Sequence, residues 1–293
     1  RRAAFAPREP SAPYDQLYYN GDPRDPAHRS MKPLRAFSAK RPWTDKWMDP
    51  EATDAEYWVA QYDAEVAYAD NQVRALCAAM ERSNLWDDTL VVVLSDHGEI
   101  LDEHPGQFDH EGLYDANVRV PLLLRFPDGR HAGTRVAGMA TNLDVMPTLL
   151  ELLDVECPTT VTGRSLLPLI RGQAADLQHE VYLAEGTWQC KRGLRTHEWK
   201  FIRALSDTPQ HNWHGEAPRE LYYLPADPDE QTNLIHVRPR VARELERRLD
   251  AYLAECERRY GHPDPLAVQG ASFGRLALEH AEALDTDPSF VLR

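Results

Sequence analysis

One stretch of the chain constrains the fold more than any other: residues 89–94, with the sequence TLVVVL. Because both faces of this run are apolar, it predicts a strand in the middle of a sheet that is covered by helices. The sequence SDHGE follows at residues 95–99, so polar side chains stand at the carboxyl end of a buried strand. Open α/β sheets place their sites at that edge. A second run, VPLLLRF at residues 120–126, predicts another buried strand.

Helical periodicity appears on both sides of these strands. Apolar residues near a 3.6-residue period predict a helix over residues 54–84, with Asp54 as its N-cap and Asn84 as its end. Asp144 suits the N-cap of a second helix over residues 145–153.

The character of the chain changes from about residue 179. Short runs at regular spacing predict antiparallel strands, and a helix with one apolar stripe begins at Pro239 and ends at Gly261. The predicted strands cover residues 180–184, 191–195, 200–204 and 220–224.

Composition narrows the classes of function. The chain has 293 residues, enough for one large domain or two ordinary ones, and its 33 basic and 47 acidic residues give a net charge of −14. A protein this acidic repels phosphate backbones, so nucleic acid is not expected as a partner. No window approaches the roughly 18 apolar residues of a membrane span, so no transmembrane segment is predicted. The four cysteines stand far apart, without the spacing of a metal site or a redox pair.

Asp96 and His97 are the candidate metal ligands. Carboxylate oxygen and imidazole nitrogen both bind divalent cations, and the two residues are adjacent at a strand end. On spacing alone a simpler interpretation stays open, in which Asp96 caps a helix and His97 makes an ordinary hydrogen bond.

Residues 90–99, LVVVLSDHGE, resemble the C-terminal metal motif of sulfatases in the alkaline phosphatase superfamily. Further segments are similar to sulfatase landmarks, in the same order along the chain, over roughly residues 5–257. They are QYDAEVAYAD at residues 61–70, LYD at 113–115, RVPLL at 119–123, DVMPTLL at 144–150, GRSL at 163–166, KFIR at 200–203 and ELYYL at 220–224.

The resemblance implies an α/β fold, with an alkaline-phosphatase-like mixed sheet flanked by helices and a smaller C-terminal subdomain made of an antiparallel sheet plus a helix. Residues 1–175 would then be the C-terminal part of the α/β catalytic domain and residues 176–261 the α+β subdomain. Residues 262–293 would form a peripheral tail.

The resemblance also implies cofactors. Sulfatases hold a divalent cation, usually calcium, between two upstream aspartates and the pair that corresponds to Asp96 and His97. Calcium is therefore the expected ion, with manganese or magnesium as alternatives. The family nucleophile is a Cys or Ser converted to formylglycine, followed by Pro two residues later and Arg four residues later. This chain contains neither that motif nor the upstream aspartate pair. Formylglycine is thus expected upstream of the chain, which we expect to be the C-terminal portion of a sulfatase and inactive by itself.

Two further residues are implied as substrate contacts. Arg8, in FAPREP, stands where the family usually has a His; it can bind a tetrahedral oxyanion but cannot release a proton near neutral pH. His110, in FDHEG, stands where many sulfatases have a Lys, and would contact the sulfate or protonate the leaving oxygen. For both residues an ordinary loop position is the alternative.

The sequence thus predicts a metal-dependent sulfuric ester hydrolase that acts on a small-molecule or carbohydrate sulfate ester. A phosphodiester or phosphonate monoester hydrolase of the same superfamily is the nearest alternative, since both substrates are tetrahedral oxyanions. The second alternative is a non-catalytic, degenerate protein of this fold. Oligomeric state and the choice between cytoplasm and periplasm stay open.

Overall fold

The computed structural model describes residues 12–34, 48–104, 108, 110–187, 189–205 and 217–270. These residues belong to two compact units. The first unit runs to His110 and also includes Val120–Ala132, whereas the second holds Glu111–Arg119 and the chain from Gly133 onward. The predicted domain boundaries at residues 175 and 261 stay predictions.

Helix α1, Ala55–Arg82, is the longest element of the first unit and confirms the predicted helix. Asp54 is its N-cap, because the Asp54 side chain accepts a hydrogen bond from the backbone N–H of Glu56. Its first turns pack into an apolar core through Trp58, which is 1% exposed. The core consists of Met31, Leu34, Met48, Ala52, Ala55, Trp58, Leu101 and Phe108.

The two predicted apolar runs form strands β1, Val91–Leu94, and β2, Leu122–Arg125. They pair antiparallel as a two-stranded sheet, with Leu94 opposite Leu122. The expected burial on both faces is not found among the described residues, since Leu94 is 42% and Leu123 is 58% exposed. A two-stranded sheet buries little apolar surface on its own. The two strands therefore carry more apolar surface than the described part of the chain covers.

The second unit begins with the short helix α2, Asp115–Val118, and continues with α3, Val145–Leu152, and α4, Leu167–Ile170. Asp144 stands at the N-cap position of α3, as predicted, but its side chain makes no capping hydrogen bond to that helix.

The Asp144 carboxylate instead connects two loops. It accepts hydrogen bonds from the backbone N–H groups of Thr141, at 2.7 Å, and Arg164, at 2.8 Å. The loops come so close that a Cβ on Gly163 would lie 1.9 Å from the carbonyl oxygen of Leu143. A glycine is therefore required at position 163 by packing.

Four strands form an antiparallel meander in the order β3-β4-β5-β6, which confirms the predicted antiparallel sheet. Their bounds are Glu180–Glu185, Lys191–Thr196, Trp199–Ala204 and Arg219–Tyr223. Helix α5, Pro239–Tyr260, covers the sheet and ends at Gly261, whose φ of 72° is left-handed. The core between them consists of Leu194, Phe201, Leu221, Ala242, Leu245 and Leu249.

The mixed α/β class and the sheet-plus-helix subdomain are thus both confirmed. A short helix α6, Pro265–Gln269, follows α5, and residues 271–293 of the predicted tail lie outside the described residues. Within the described ranges, no helix is both long and apolar enough to cross a bilayer.

Candidate active site

The loop after β1 carries both predicted metal ligands. Asp96 Oδ1 accepts a hydrogen bond from the backbone N–H of His97, at 3.0 Å, and lies 3.8 Å from His97 Nε2. The Asp96 side chain is 82% exposed, so its carboxylate is open to a ligand. No helix begins at this loop in the described structure, so the interpretation of Asp96 as a helix cap has no support.

The Asp96 carboxylate is held in its charged form. Desolvation acts to raise its pKa, but the neighbouring His97 imidazole and the backbone N–H groups of His97 and Asp96 outweigh that effect and lower the pKa below its usual value. An ionised carboxylate is the form that a cation binds.

The His97 ring is oriented by the backbone of the next residue, Gly98. His97 Nδ1 lies 3.0 Å from the carbonyl oxygen of Gly98, and Ser95 Oγ donates a hydrogen bond to the carbonyl oxygen of His97 at 2.6 Å. With the ring proton assigned to Nδ1 by that carbonyl, Nε2 presents a lone pair.

His110 lies against this loop, although the two are well separated along the chain. The His97 and His110 rings stack with their centroids 4.5 Å apart and their planes 24° from parallel. His110 Nδ1 also lies 3.6 Å from Glu99 Oε1, and the two side chains are 20% and 16% exposed. The fold therefore brings two predicted site residues together within the first unit.

Glu99 completes a group that the sequence analysis did not select. Ligand atoms of His97, Glu99 and His110 all lie within 4.8 Å of one another, and Asp96 is not part of this group. The two-residue spacing of His97 and Glu99 was the available signal, because side chains two residues apart share a side wherever the backbone is extended. Arg8 lies outside the described residues.

The second unit holds a cluster of buried charges that the sequence analysis also missed. Lys200 Nζ lies 2.5 Å from Asp115 Oδ1 and 2.9 Å from Glu230 Oε1, and the Lys200 and Glu230 side chains are 0% and 1% exposed. Arg195 adds a two-pronged contact to Asp115, with Nη2 donating to Oδ2 at 2.8 Å and Nε to Oδ1 at 2.9 Å. The cluster joins α2 to strands β4 and β5.

Burial and ion pairing shift the pKa values of the two carboxyl groups in this cluster, Asp115 and Glu230, in opposite directions. For Asp115 the desolvation that raises the pKa is outweighed by Arg195 and Lys200, which bring the pKa to about 2. For Glu230 desolvation dominates and raises the pKa, even though Lys200 and the backbone N–H of Asp115 act to lower it.

A second set of buried contacts binds the segment that contains Asp115 to the four-stranded sheet. The Tyr114 hydroxyl donates to Glu220 Oε2 at 2.8 Å, and Lys191 Nζ lies 3.2 Å from Glu220 Oε1. Segment 114–115, which the sequence analysis noted only as part of a sulfatase landmark, is thus held by ionic groups of three strands.

Two family models match the chain. The sulfatase model matches residues 9–155, and a model described as N-sulphoglucosamine sulphohydrolase, C-terminal, matches residues 102–258. The second match extends through the four-stranded sheet and nearly to the end of α5.

Individual proteins agree with the family models. An N-acetylglucosamine-6-O-sulfatase of Bacteroides thetaiotaomicron is 29% identical over 72% of this chain and 37% of that protein. A solved structure of a protein in complex with its substrate D-glucosamine-2-N,6-O-disulfate is also 29% identical, with a TM-score of 0.59 over 72% of this chain and 42% of that chain.

A phosphonate monoester hydrolase of Agrobacterium radiobacter has a TM-score of 0.63 at 22% identity, over 83% of this chain and 53% of that chain, and so shares the fold. The chain spans 37% of the length of the Bacteroides sulfatase. Since the sulfatase model and the sulphohydrolase C-terminal model each cover half of the chain or more, the chain belongs to the sulfatase family of the alkaline phosphatase superfamily.

Proposed function

We propose that this chain contributes metal-binding and substrate-binding residues to a metal-dependent sulfatase that hydrolyses sulfate esters. The observation that carries the proposal is the stacking of His97 on His110 at 4.5 Å, because it puts the proposed metal loop beside the proposed substrate residue. Sulfatases generally use a metal ion and formylglycine. No Cys or Ser of this chain lies in the nucleophile motif, so the activity is proposed for a polypeptide that also supplies it.

Asp96 and His97 are proposed as two ligands of the divalent ion, with calcium preferred over manganese and magnesium. The donor set fits in part: Asp96 offers an ionised, accessible carboxylate, and His97 Nε2 lies 3.8 Å from it. Calcium needs further oxygen ligands, which the upstream aspartates implied by the family would provide. When bound, the ion would neutralise charge on the sulfate oxygens.

His110 is proposed to contact the sulfate and to donate a proton to the leaving oxygen. Glu99 Oε1, 3.6 Å from His110 Nδ1, supports this role because a carboxylate on one ring nitrogen orients the other toward the substrate. The ring is also held from one side by the stacked His97. Arg8 is proposed as a second oxyanion contact, from its position in the sequence alone.

A sulfated sugar is the proposed class of substrate. Two similar proteins support it, one named an N-acetylglucosamine-6-O-sulfatase and the other bound to D-glucosamine-2-N,6-O-disulfate. The phosphonate monoester hydrolase resembles the chain in fold at 22% identity, which gives a phosphonate substrate weaker support.

The test is an assay of the complete gene product with glucosamine 6-sulfate, an aryl sulfate and an aryl phosphonate monoester, together with metal analysis. Asp96→Ala should lose bound metal and activity together, and His97→Asn should be milder because many sulfatases have Asn there. His110→Ala should lower the rate by about 10²-fold or more, the scale of one acid–base group. The exposed Asp102 of the same loop provides the matched control Asp102→Asn, which should change neither the metal content nor the rate.

Each alternative gives a different result. Faster turnover of the phosphonate than of either sulfate would favour the phosphonate hydrolase. No turnover, with unchanged metal content in Asp96→Ala, would favour a non-catalytic protein. The isolated chain should show no turnover with added calcium or manganese, because it holds no nucleophile motif.

A further inference from the structure

The first unit presents a second set of metal donors beside the Asp96 carboxylate. His97, Glu99 and His110 have ligand atoms within 4.8 Å of one another, and their side chains are 32%, 16% and 20% exposed. Two imidazoles and one carboxylate form a donor set that suits zinc and similar first-row ions. A calcium site, by contrast, is built mainly from oxygen ligands such as the Asp96 carboxylate.

We propose that His97, Glu99 and His110 together bind one zinc-type transition-metal ion, and that this ion inhibits the enzyme by occupying His110. The inhibition rests on the proposed function, since it needs His110 to act in catalysis. The binding does not, because it follows from the three donors alone.

One donor pair is already spaced nearly as a bound ion requires. Donors at about 2.1 Å from a tetrahedral ion lie about 3.4 Å from one another. His110 Nδ1 and Glu99 Oε1 are already 3.6 Å apart. The remaining donor belongs to His97 and lies within 4.8 Å of the other two ligand atoms, so the His97 ring has to move closer and turn out of its stack on His110 before both imidazoles face one ion.

The surroundings of His97 favour ligation through Nε2. Histidine ligands usually donate their other ring N–H to a carbonyl or carboxylate, which fixes the ring and strengthens the metal bond. His97 Nδ1 has such a partner in the Gly98 carbonyl oxygen, at 3.0 Å. The backbone of the loop therefore already provides the outer support of a ligand.

The Asp96 side chain distinguishes the proposed zinc site from the proposed calcium site. The Asp96 side chain is 82% exposed and is not part of the three-residue group. The two sites share only His97, so a change at Asp96 should affect calcium and a change at Glu99 should affect zinc.

The binding experiment uses the chain as it is. Zinc affinity is measured by competition with a chromophoric chelator, and Co²⁺ is added as a probe because four-coordinate Co²⁺ with imidazole ligands gives intense visible bands. Glu99→Gln and His110→Ala should each weaken zinc binding at least about 10-fold, since even residues that only support a ligand change affinity by about 10–100-fold. Asp96→Asn should change it less than about 3-fold. Far-UV circular dichroism checks that each variant is folded, and Glu99→Gln preserves the shape of the side chain.

Two results would overturn the binding site. An equal loss in Asp96→Asn and Glu99→Gln would place the ion on Asp96 and His97. A loss only in His197→Ala would place it on the second unit, where His197 Nε2 and His179 Nδ1 approach Asp176 Oδ2 at 2.7 and 3.2 Å.

The inhibition is tested separately, with the complete gene product and an aryl sulfate. Zinc should inhibit the wild type, and Glu99→Gln should need at least about 10-fold more zinc for the same fractional inhibition. Zinc binding that depends on Glu99 without inhibition would overturn the inhibitory role. An enzyme that hydrolyses no sulfate ester would count against the proposed function and leave the binding result standing.

Discussion

Replacing Lys200 by methionine should destabilise the second unit by about 3–5 kcal/mol of unfolding free energy, the usual cost of removing one partner from a buried ion pair. Methionine keeps an apolar chain of similar length but removes the cation. Lys200 Nζ lies 2.5 Å from Asp115 Oδ1 and 2.9 Å from Glu230 Oε1. Asp115 would still be paired with Arg195, so the uncompensated charge falls on Glu230, whose side chain is 1% exposed.

The unfolding free energy lost in Lys200→Met should become smaller as the pH falls. Desolvation already raises the pKa of Glu230 in the folded protein, and Lys200 opposes that rise. Without Lys200 the folded pKa rises further, so the buried charge costs most at high pH. As the pH falls, Glu230 takes up a proton in the folded state before it would in the unfolded chain, and the cost disappears. The deficit of Lys200→Met should therefore be larger near about pH 8 than near about pH 5.

Urea unfolding followed by circular dichroism measures this deficit. Arg203→Met is the matched control on the same strand, since Arg203 Nη1 pairs with the 55%-exposed Asp250 at 2.8 Å and a surface pair contributes less than about 1 kcal/mol. Lys200→Met combined with Glu230→Gln should recover part of the lost stability, because it removes the orphaned charge. If Lys200→Met costs no more than Arg203→Met at either pH, the reasoning from buried charge is refuted.

Two further predictions concern the second unit. Gly163→Ala should lower stability by about 1–3 kcal/mol in thermal unfolding, because its Cβ would meet the Leu143 carbonyl oxygen at 1.9 Å and backbone has little room to yield; an unchanged melting temperature would contradict that close approach. The Asp115 pKa of about 2, lowered from 3.8, means that this carboxylate stabilises the fold above about pH 4 and loses that effect as the pH falls toward 2. The Asp115→Asn variant should thus be less stable than the wild type at neutral pH, and its unfolding free energy should fall less steeply as the pH decreases toward 2. Equal slopes for the two proteins in that pH range would contradict the lowered pKa of Asp115.

Patterns within one segment of the sequence predicted the regular elements well. The 3.6-residue period located α1 and α5, the Asp54 side chain caps α1 as its residue type indicates, and the regular spacing of short runs located β3 to β6. These predictions succeed because helix periodicity, caps and strand alternation are set by neighbours along the chain.

Local sequence patterns could not predict the contacts between segments that are distant along the chain. The segment LYD and the segment KFIR were each noticed, but nothing in either shows that Asp115 and Lys200 meet as a buried ion pair. Asp144 was placed correctly at the start of α3, yet its side chain binds Thr141 and Arg164 because a close loop competes for it. Glu99 was likewise passed over: its spacing from His97 is visible in the sequence, but the approach of His110 Nδ1 to 3.6 Å is not.

The incomplete burial of β1 and the small number of donors in the proposed metal loop after it set related physical requirements. A strand that is apolar on both faces requires cover on both faces, and Leu94 remains 42% exposed among the described residues. The proposed calcium ion would require more oxygen ligands than the Asp96 carboxylate offers. Both requirements arise within one strand and the loop that continues it. A sulfatase region that places a strand beside β1 would also place the end of that strand beside Asp96, because sites in such sheets form where neighbouring strands end. The same packing would therefore bury Leu94 and bring further carboxylates to the proposed metal site.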